Sequence, residues 1–103
     1  SIRGAVSVAF RVFVDEDAYV FFNSLDPKSQ RIIRDRLNVL KENPYPGSGG
    51  DKEKLQAGKN RNIYRMHIAR IFTAIYTIDP QNKTVHITHI MTIEKAHRRY
   101  GRM

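Results

Sequence analysis

The sequence predicts an α+β domain of element order β-α-α-β-β-β: a small antiparallel sheet with an N-terminal αα-hairpin packed on one face. Three observations predict it. β-branched and aromatic residues alternate over Val6–Val14 and again in three segments after residue 61. Between them a helical apolar period replaces the two-residue one, and Pro, Gly, Asn and Asp clusters separate the segments. One strand, two helices and then three strands in a row make a meander covered by a helical layer.

Each element has a local reason. Val6, Val8, Phe10, Val12 and Val14 share one side of the first strand. Asp15-Glu16-Asp17 ends it and suits a helix N-terminus, where carboxylates meet unpaired N–H groups and the helix dipole. Ala18, Phe21, Phe22 and Leu25 then form one apolar helical stripe. Asp26-Pro27 restarts the pattern, with Asp26 as N-cap and Pro27 at the first helical position. This second helix is expected to run to about Glu42 and bury Ile33, Leu37 and Leu40, with Arg31, Arg34, Asp35 and Lys41 in water; Pro44 stops it. Tyr45–Glu53 reads as a flexible loop. It is not a phosphate-binding loop, because no strand feeds it and the Gly-Lys-Ser/Thr ending is missing. Strands are expected over Asn62–Ile68, Ile71–Ile78 and Lys83–Ile93, with Asp79-Pro80-Gln81-Asn82 as a turn.

Alternation sorts the strand faces. Tyr64, Met66 and Ile68, with Phe72, Ala74, Tyr76 and Ile78, are the predicted core side, which puts Arg65 and His67 on an exposed sheet face. The last strand has no clean side: Val85/Ile87/His89/Met91 and His86/Thr88/Ile90/Thr92 are both mixed, so His86 and His89 are read as structural or solvated.

Composition narrows the function. Residues 51–103 hold eleven Lys/Arg against four Asp/Glu, most of the net charge of +8, and all four histidines (His67, His86, His89, His97). So one-sided a positive field suits a phosphate-backbone ligand. The absence of cysteine excludes disulfides, thiolate metal sites and a thiol nucleophile. No apolar run approaches the roughly 18 residues of a membrane span, and a cytoplasmic protein without a membrane partner is expected. Ser1–Ala5 is too short and polar for a secretory signal and is expected to lie outside the ordered domain. The domain is expected to span residues 1–103, with 94–103 as a basic tail.

Lys54-Leu55-Gln56-Ala57-Gly58, Tyr64-Arg65-Met66-His67, Ile75-Tyr76-Thr77-Ile78-Asp79 and His97-Arg98-Arg99-Tyr100 stand in an order and spacing that resembles the RelE/ParE superfamily of toxins from type II toxin–antitoxin pairs. The resemblance covers residues 6–100. It implies either ribosome-dependent cleavage of mRNA or action on DNA gyrase. It also implies that Arg65 and His67 project from the strand bearing the nuclease site, and that His97, Arg98 and Tyr100 complete that site. One departure stands out. The family often has arginine three residues before the tyrosine matched by Tyr76, and this chain has Thr73, so the missing cation would have to come from Arg70 or Arg98.

The chemistry is consistent with that resemblance. Metal-free RNA cleavage needs a base for the 2′-OH, an acid for the departing 5′-oxygen, and cations around the phosphorane. The reference pKa of histidine lies near neutrality, which makes His67 and His97 candidates for either proton role, and Arg65 and Arg98 match phosphate oxygens. Tyr100 could stack on a base or anchor the tail to the sheet. Lys52, Lys54, Lys59 and Arg61, with Arg70 and Arg99, read as backbone-contact or steering charges. No metal-ligand spacing appears, and no cofactor is expected. An acidic, amphipathic antitoxin that folds on binding, the ribosome and mRNA are the expected partners. A ParE-like toxin acting on a protein target such as gyrase, and a non-catalytic basic nucleic-acid-binding module, remain alternatives.

Overall fold

The computed structural model describes residues 9–47, 49–55 and 62–101. Five strands and three helices follow in the order β1 (Arg11–Val14), α1 (Glu16–Asn23), α2 (Pro27–Glu42), β2 (Lys52–Lys54), β3 (Ile63–Ile68), β4 (Phe72–Asp79), β5 (Thr84–Thr92) and α3 (Ile93–Tyr100). Asp15 and Asp26 stand at the N-cap positions of α1 and α2, Glu16 and Asp17 fill the first turn of α1, and Pro27 opens α2. Ala18, Ile33, Leu37 and Leu40 are buried as the helical stripes predict, while Phe21, Phe22 and Leu25 are partly buried against them. The part of the predicted first strand before residue 9 lies outside the described residues.

The helices lie on the face of the sheet formed by Tyr64, Met66, Ile68, Phe72, Ala74, Tyr76, Ile78, Val85, Ile87 and Ile90. Tyr64 and Tyr76 stack with ring centroids 5.5 Å apart, and Tyr76 Oη donates to the Pro44 carbonyl at 2.8 Å, tying the end of α2 to the sheet. Met66, Ile68 and Ile87 are fully buried, each contributing about 1.5–3 kcal/mol. A one-residue slip of β3 would exchange Met66 for Arg65 and His67 in that core, so the register is firmly held.

Four expectations need correction. The sheet is mixed, in the order β1-β5-β4-β3-β2. β2 to β5 pair antiparallel, but β1 runs parallel to β5, with Arg11 opposite Thr84 and Val14 opposite Ile87. The helices carry the chain from β1 to the far edge of the sheet, and three reversals then return β5 beside β1 in the same direction. Lys52 and Glu53, expected at the end of a loop, form with Lys54 the edge strand β2; its Lys-Glu-Lys composition is that of an edge protected from further pairing. The expected basic tail is the helix α3, with Thr92 as N-cap accepting from the Lys95 N–H, Glu94 in the first turn and Gly101 closing the last. The Arg65 side chain, expected in water, is buried.

A β-bulge in β5 explains its mixed faces. Ile75 pairs with His89 and Tyr76 with Ile87, so Thr88 is the extra residue and the side-chain phase inverts across it. Val85 and Ile87 before the bulge, and Ile90 after it, all face the helical core; Met91 faces the other side. The Thr88 hydroxyl donates to the Ile75 carbonyl at 3.2 Å and fills the irregularity.

The β3–β4 hairpin turns through Ala69 and Arg70, both at positive φ (53° and 58°), with the Ile71 N–H on the Ile68 carbonyl at 3.0 Å. Two central residues at positive φ make a type I′ turn, which normally takes Asn-Gly. Ala69→Gly is therefore expected to raise stability by about 0.5–1 kcal/mol, after allowing for glycine's extra freedom in the unfolded chain; thermal unfolding would read this as a higher midpoint.

Candidate active site

The sheet face opposite α1 and α2 is covered at its centre by α3. Ala96 is buried there among Leu55, Ile75 and Met91, with Ile63 and Tyr100 packed around them. The Ile93 N–H donates to the Ile71 carbonyl at 2.9 Å and ties the start of α3 to the sheet, while the Gly101 N–H closes the last helical turn on the His97 carbonyl at 2.9 Å.

Beneath α3 lie the side chains that alternation assigns to this face of β3. Arg65 is 1% exposed. Its Nε and Nη2 both reach Glu53 Oε2 at 3.0 Å across the β2–β3 pair, and its Nη1 donates to the Gly101 carbonyl at 2.6 Å. A buried guanidinium needs such partners, since an unpaired buried charge costs several kcal/mol. His67, two residues along, is half-buried, and its ring lies 6.3 Å from that of His97 on α3. Burial, the Arg65 charge and His97 together hold the His67 pKa below the ordinary histidine value, with Glu53 and Asp51 partly opposing them. Thr73 is the cross-strand partner of His67. Its Oγ1 and His67 Nε2 are buried polar atoms that find no hydrogen-bond partner among the described residues.

An open polar depression of about 380 Å³ adjoins His67, lined also by Arg36, Gly49, Gly50, Asp51, Ala69 and Arg70. Arg36 reaches it from α2 and forms an ion pair with Asp51 at its rim. Arg70 is exposed at the hairpin tip.

The other predicted site residues divide. Arg98 and Arg99 are exposed on α3, and Arg99 lies over the Tyr100 ring at 5.4 Å. Tyr100 is half-buried and packs against the cluster of Leu55, Ile75, Met91 and Ala96. Lys52 donates to the Asn43 carbonyl at 2.9 Å, and Lys54 is exposed beside the Tyr64 ring. Lys59 and Arg61 lie outside the described residues. His86 stacks on Phe13 at 5.4 Å, and His89 Nδ1 lies 3.2 Å from Thr88 Oγ1; neither joins the His67 site. Arg36, Asp51 and Glu53 were not anticipated. The alternating charges of Asp51-Lys52-Glu53-Lys54 are the one signal that could have revealed an edge strand there. Among the described residues no group of three His, Asp or Glu side chains is placed to hold a metal ion, and no helix is long and apolar enough to cross a membrane.

A second depression, apolar and about 220 Å³, lies between β1 and the helices. Val12, Val14, Tyr19, Phe22, Leu37 and Ile90 line it, with Arg34, Asn38 and Lys41.

Two measurements test the electrostatics. His67 is held more neutral in the folded chain than in the unfolded one, so the unfolded state binds more protons as pH falls below about 6.5. Urea titrations should show stability lost on acidification through that range, and His67→Gln should flatten the slope. Thr73→Val removes a buried hydroxyl without a partner and should leave stability unchanged or raise it by about 1 kcal/mol in the same titrations.

No protein-family model and no curated protein matches the chain. Solved structures do. RelE in the archaeal RelE–RelB complex from Pyrococcus horikoshii OT3 superposes with a TM-score of 0.68 at 20% identity, over 82% of this chain and 94% of that one. The isolated E. coli RelE toxin gives 0.67 at 15% identity, over 88% and 98%. A YoeB/ParE toxin from Agrobacterium tumefaciens gives 0.64 at 15% identity, over 81% and 98%. The mixed five-stranded sheet, the helix pair on one face and the short helix on the other thus make up the fold of the RelE, YoeB and ParE toxins.

Proposed function

We propose that this protein is a RelE-like toxin of a toxin–antitoxin pair, a metal-independent endoribonuclease that cuts translated mRNA on the ribosome in the cytoplasm. The observation that carries the proposal is the pairing of His67 and His97, ring centroids 6.3 Å apart, with His67 also lining a depression that bears Arg36 and Arg70. His67, biased toward its neutral form, takes the 2′-OH proton; His97 delivers a proton to the departing 5′-oxygen as the 2′-oxygen attacks phosphorus. Arg70 and Arg98, both exposed, serve the phosphate oxygens in place of the arginine that Thr73 replaces. Each proton-transfer group accounts for roughly 10²–10⁴-fold of the rate. So small a catalytic set favours a substrate already held and distorted by the ribosome. Lys54, Arg99 and, by sequence, Lys59 and Arg61 add steering charge.

An antitoxin follows from the same proposal. The structural neighbours include a RelE–RelB complex, and an acidic, amphipathic segment suits the apolar depression at β1, where Arg34 and Lys41 stand beside Val12, Tyr19 and Leu37.

A second function, a ParE-like block of a protein target such as gyrase, is favoured by two features. Thr73 stands where an arginine is expected, and Arg65 is fully engaged inside the protein.

Induced expression in a host lacking the antitoxin, with primer extension on a translated message, separates the two. Growth arrest with discrete cuts, reduced about 100-fold or more in His67→Ala and in His97→Ala, is expected for the nuclease. Arrest with intact message would move the assignment to a protein target. Normal growth with retained RNA affinity would leave a non-catalytic binding module.

A further inference from the structure

From the contacts of Arg65 with Glu53 and Gly101 we infer that Arg65 is a positioning residue: it seats the C-terminal end of α3 on the sheet and so holds His97 against His67. As a statement about mRNA cleavage this rests on the proposed nuclease function; as a statement about α3 it does not.

The geometry forms a short chain of dependence. Gly101 caps the turn that carries His97, through its N–H on the His97 carbonyl, and its own carbonyl is gripped by Arg65 Nη1 at 2.6 Å. Arg65 has no freedom of its own, because Nε and Nη2 share Glu53 Oε2. The far end of α3 is held independently by the Ile93–Ile71 hydrogen bond. Between the two ends the helix buries Ala96 fully and Ile93, His97 and Tyr100 in part. An eight-residue helix is too short to persist unsupported, so its seating depends on these few links. Arginine suits the task for a geometric reason: its planar fork presents donors to a carboxylate on one strand and a carbonyl on a helix at once, which a lysine ammonium cannot reproduce. Glycine is required at the other end of the link. Gly101 has φ 83° and ψ 172°, a region essentially closed to other residues, and a Cβ there would touch nothing within 4 Å. A side chain at 101 would therefore disturb the backbone alone.

Those two ends give two independent variants, Arg65→Lys in the sheet and Gly101→Ala on the surface. Amide hydrogen exchange and histidine ring NMR on the full chain read the seat of α3 without any nuclease assay. In both variants, exchange over residues 95–101 is expected to accelerate at least tenfold while β3, β4 and β5 keep wild-type protection. The His67 titration midpoint is expected to move up toward the ordinary histidine value as α3 and His97 withdraw; Arg65, His97, Glu53 and Asp51 are the charged groups that bear on it. The double variant should add little to either single one, since both break one link. In mRNA cleavage, kcat should fall about tenfold or more with KM nearly unchanged, whereas a phosphate-binding arginine would raise KM.

Wild-type exchange over α3 in Gly101→Ala would overturn the inference. So would an Arg65→Lys variant that loses protection across the whole sheet, because Arg65 would then be a general stability residue. A wild-type chain that cuts no message but shows the α3 effects in both variants would defeat the nuclease proposal alone.

Discussion

A guanidinium sealed beneath a helix must be answered by acceptors, and the answer given to Arg65 organises half of this molecule. Glu53 must come within reach, which draws the charged segment after α2 into register as β2, with Glu53 opposite Arg65. The Gly101 carbonyl must also come within reach, which brings the end of α3 onto the same sheet face. An ion pair with its cation buried and its carboxylate part-exposed adds little net stability over an apolar contact, because desolvation of the guanidinium offsets much of the attraction. Its effect is to fix geometry: few alternative arrangements could satisfy that charge, so β2, β3 and α3 have few other ways to assemble.

The two faces of the sheet divide the labour. The face under α1 and α2 is an uninterrupted apolar layer and supplies most of the stability. The face under α3 is smaller and mixed, with Leu55, Ile75, Met91 and Ala96 beside Arg65, His67 and Thr73. Polar atoms without protein partners, positive φ at Ala69 and Arg70, and a histidine displaced from its ordinary pKa all occur on or beside this second face. Local compromises of this kind concentrate where a surface must do chemistry or bind a charged ligand.

Much of the fold was legible because its signals were local and periodic. The Asp26-Pro27 helix start, the Ile33/Leu37/Leu40 stripe and the Tyr64/Met66/Ile68 alternation each follow from the geometry of one element. What was not legible depends on partners distant in the chain. The parallel pairing of β1 with β5 follows from how many reversals the chain makes, including one at an edge strand whose charged residues look like loop. Arg65 sits on the predicted face of β3, but its burial is decided by a helix 28 residues downstream. That helix had caps in plain view, Thr92 and Gly101, hidden among basic residues that resemble a tail. His67 and His97 were singled out separately from their chemistry, and only the folded chain brings them together. Arg36 carried no pattern, and Asp51 only the alternating charges of the edge strand that follows it.

The extra residue at Thr88 has a consequence for how this chain can vary. Before it, odd-numbered residues of β5 face the helical core; after it, the even-numbered Ile90 does. The change is one of numbering: Ile87, His89 and Ile90 keep to the sides of their β4 partners Tyr76, Ile75 and Ala74, because Thr88 alone is looped out between them. Length is thus the constrained quantity in β5 outside the bulge. Losing Thr88 itself would close the ladder into regular pairing and leave Ile90 on the helical side and Met91 under α3, whereas losing a residue after the bulge would turn Met91 toward the helices. Among relatives of this protein, side chains along β5 should drift freely within their apolar or polar class, while insertions and deletions between Tyr76 and Thr92 should be confined to the turn at Asp79–Lys83 and to the bulge at Thr88.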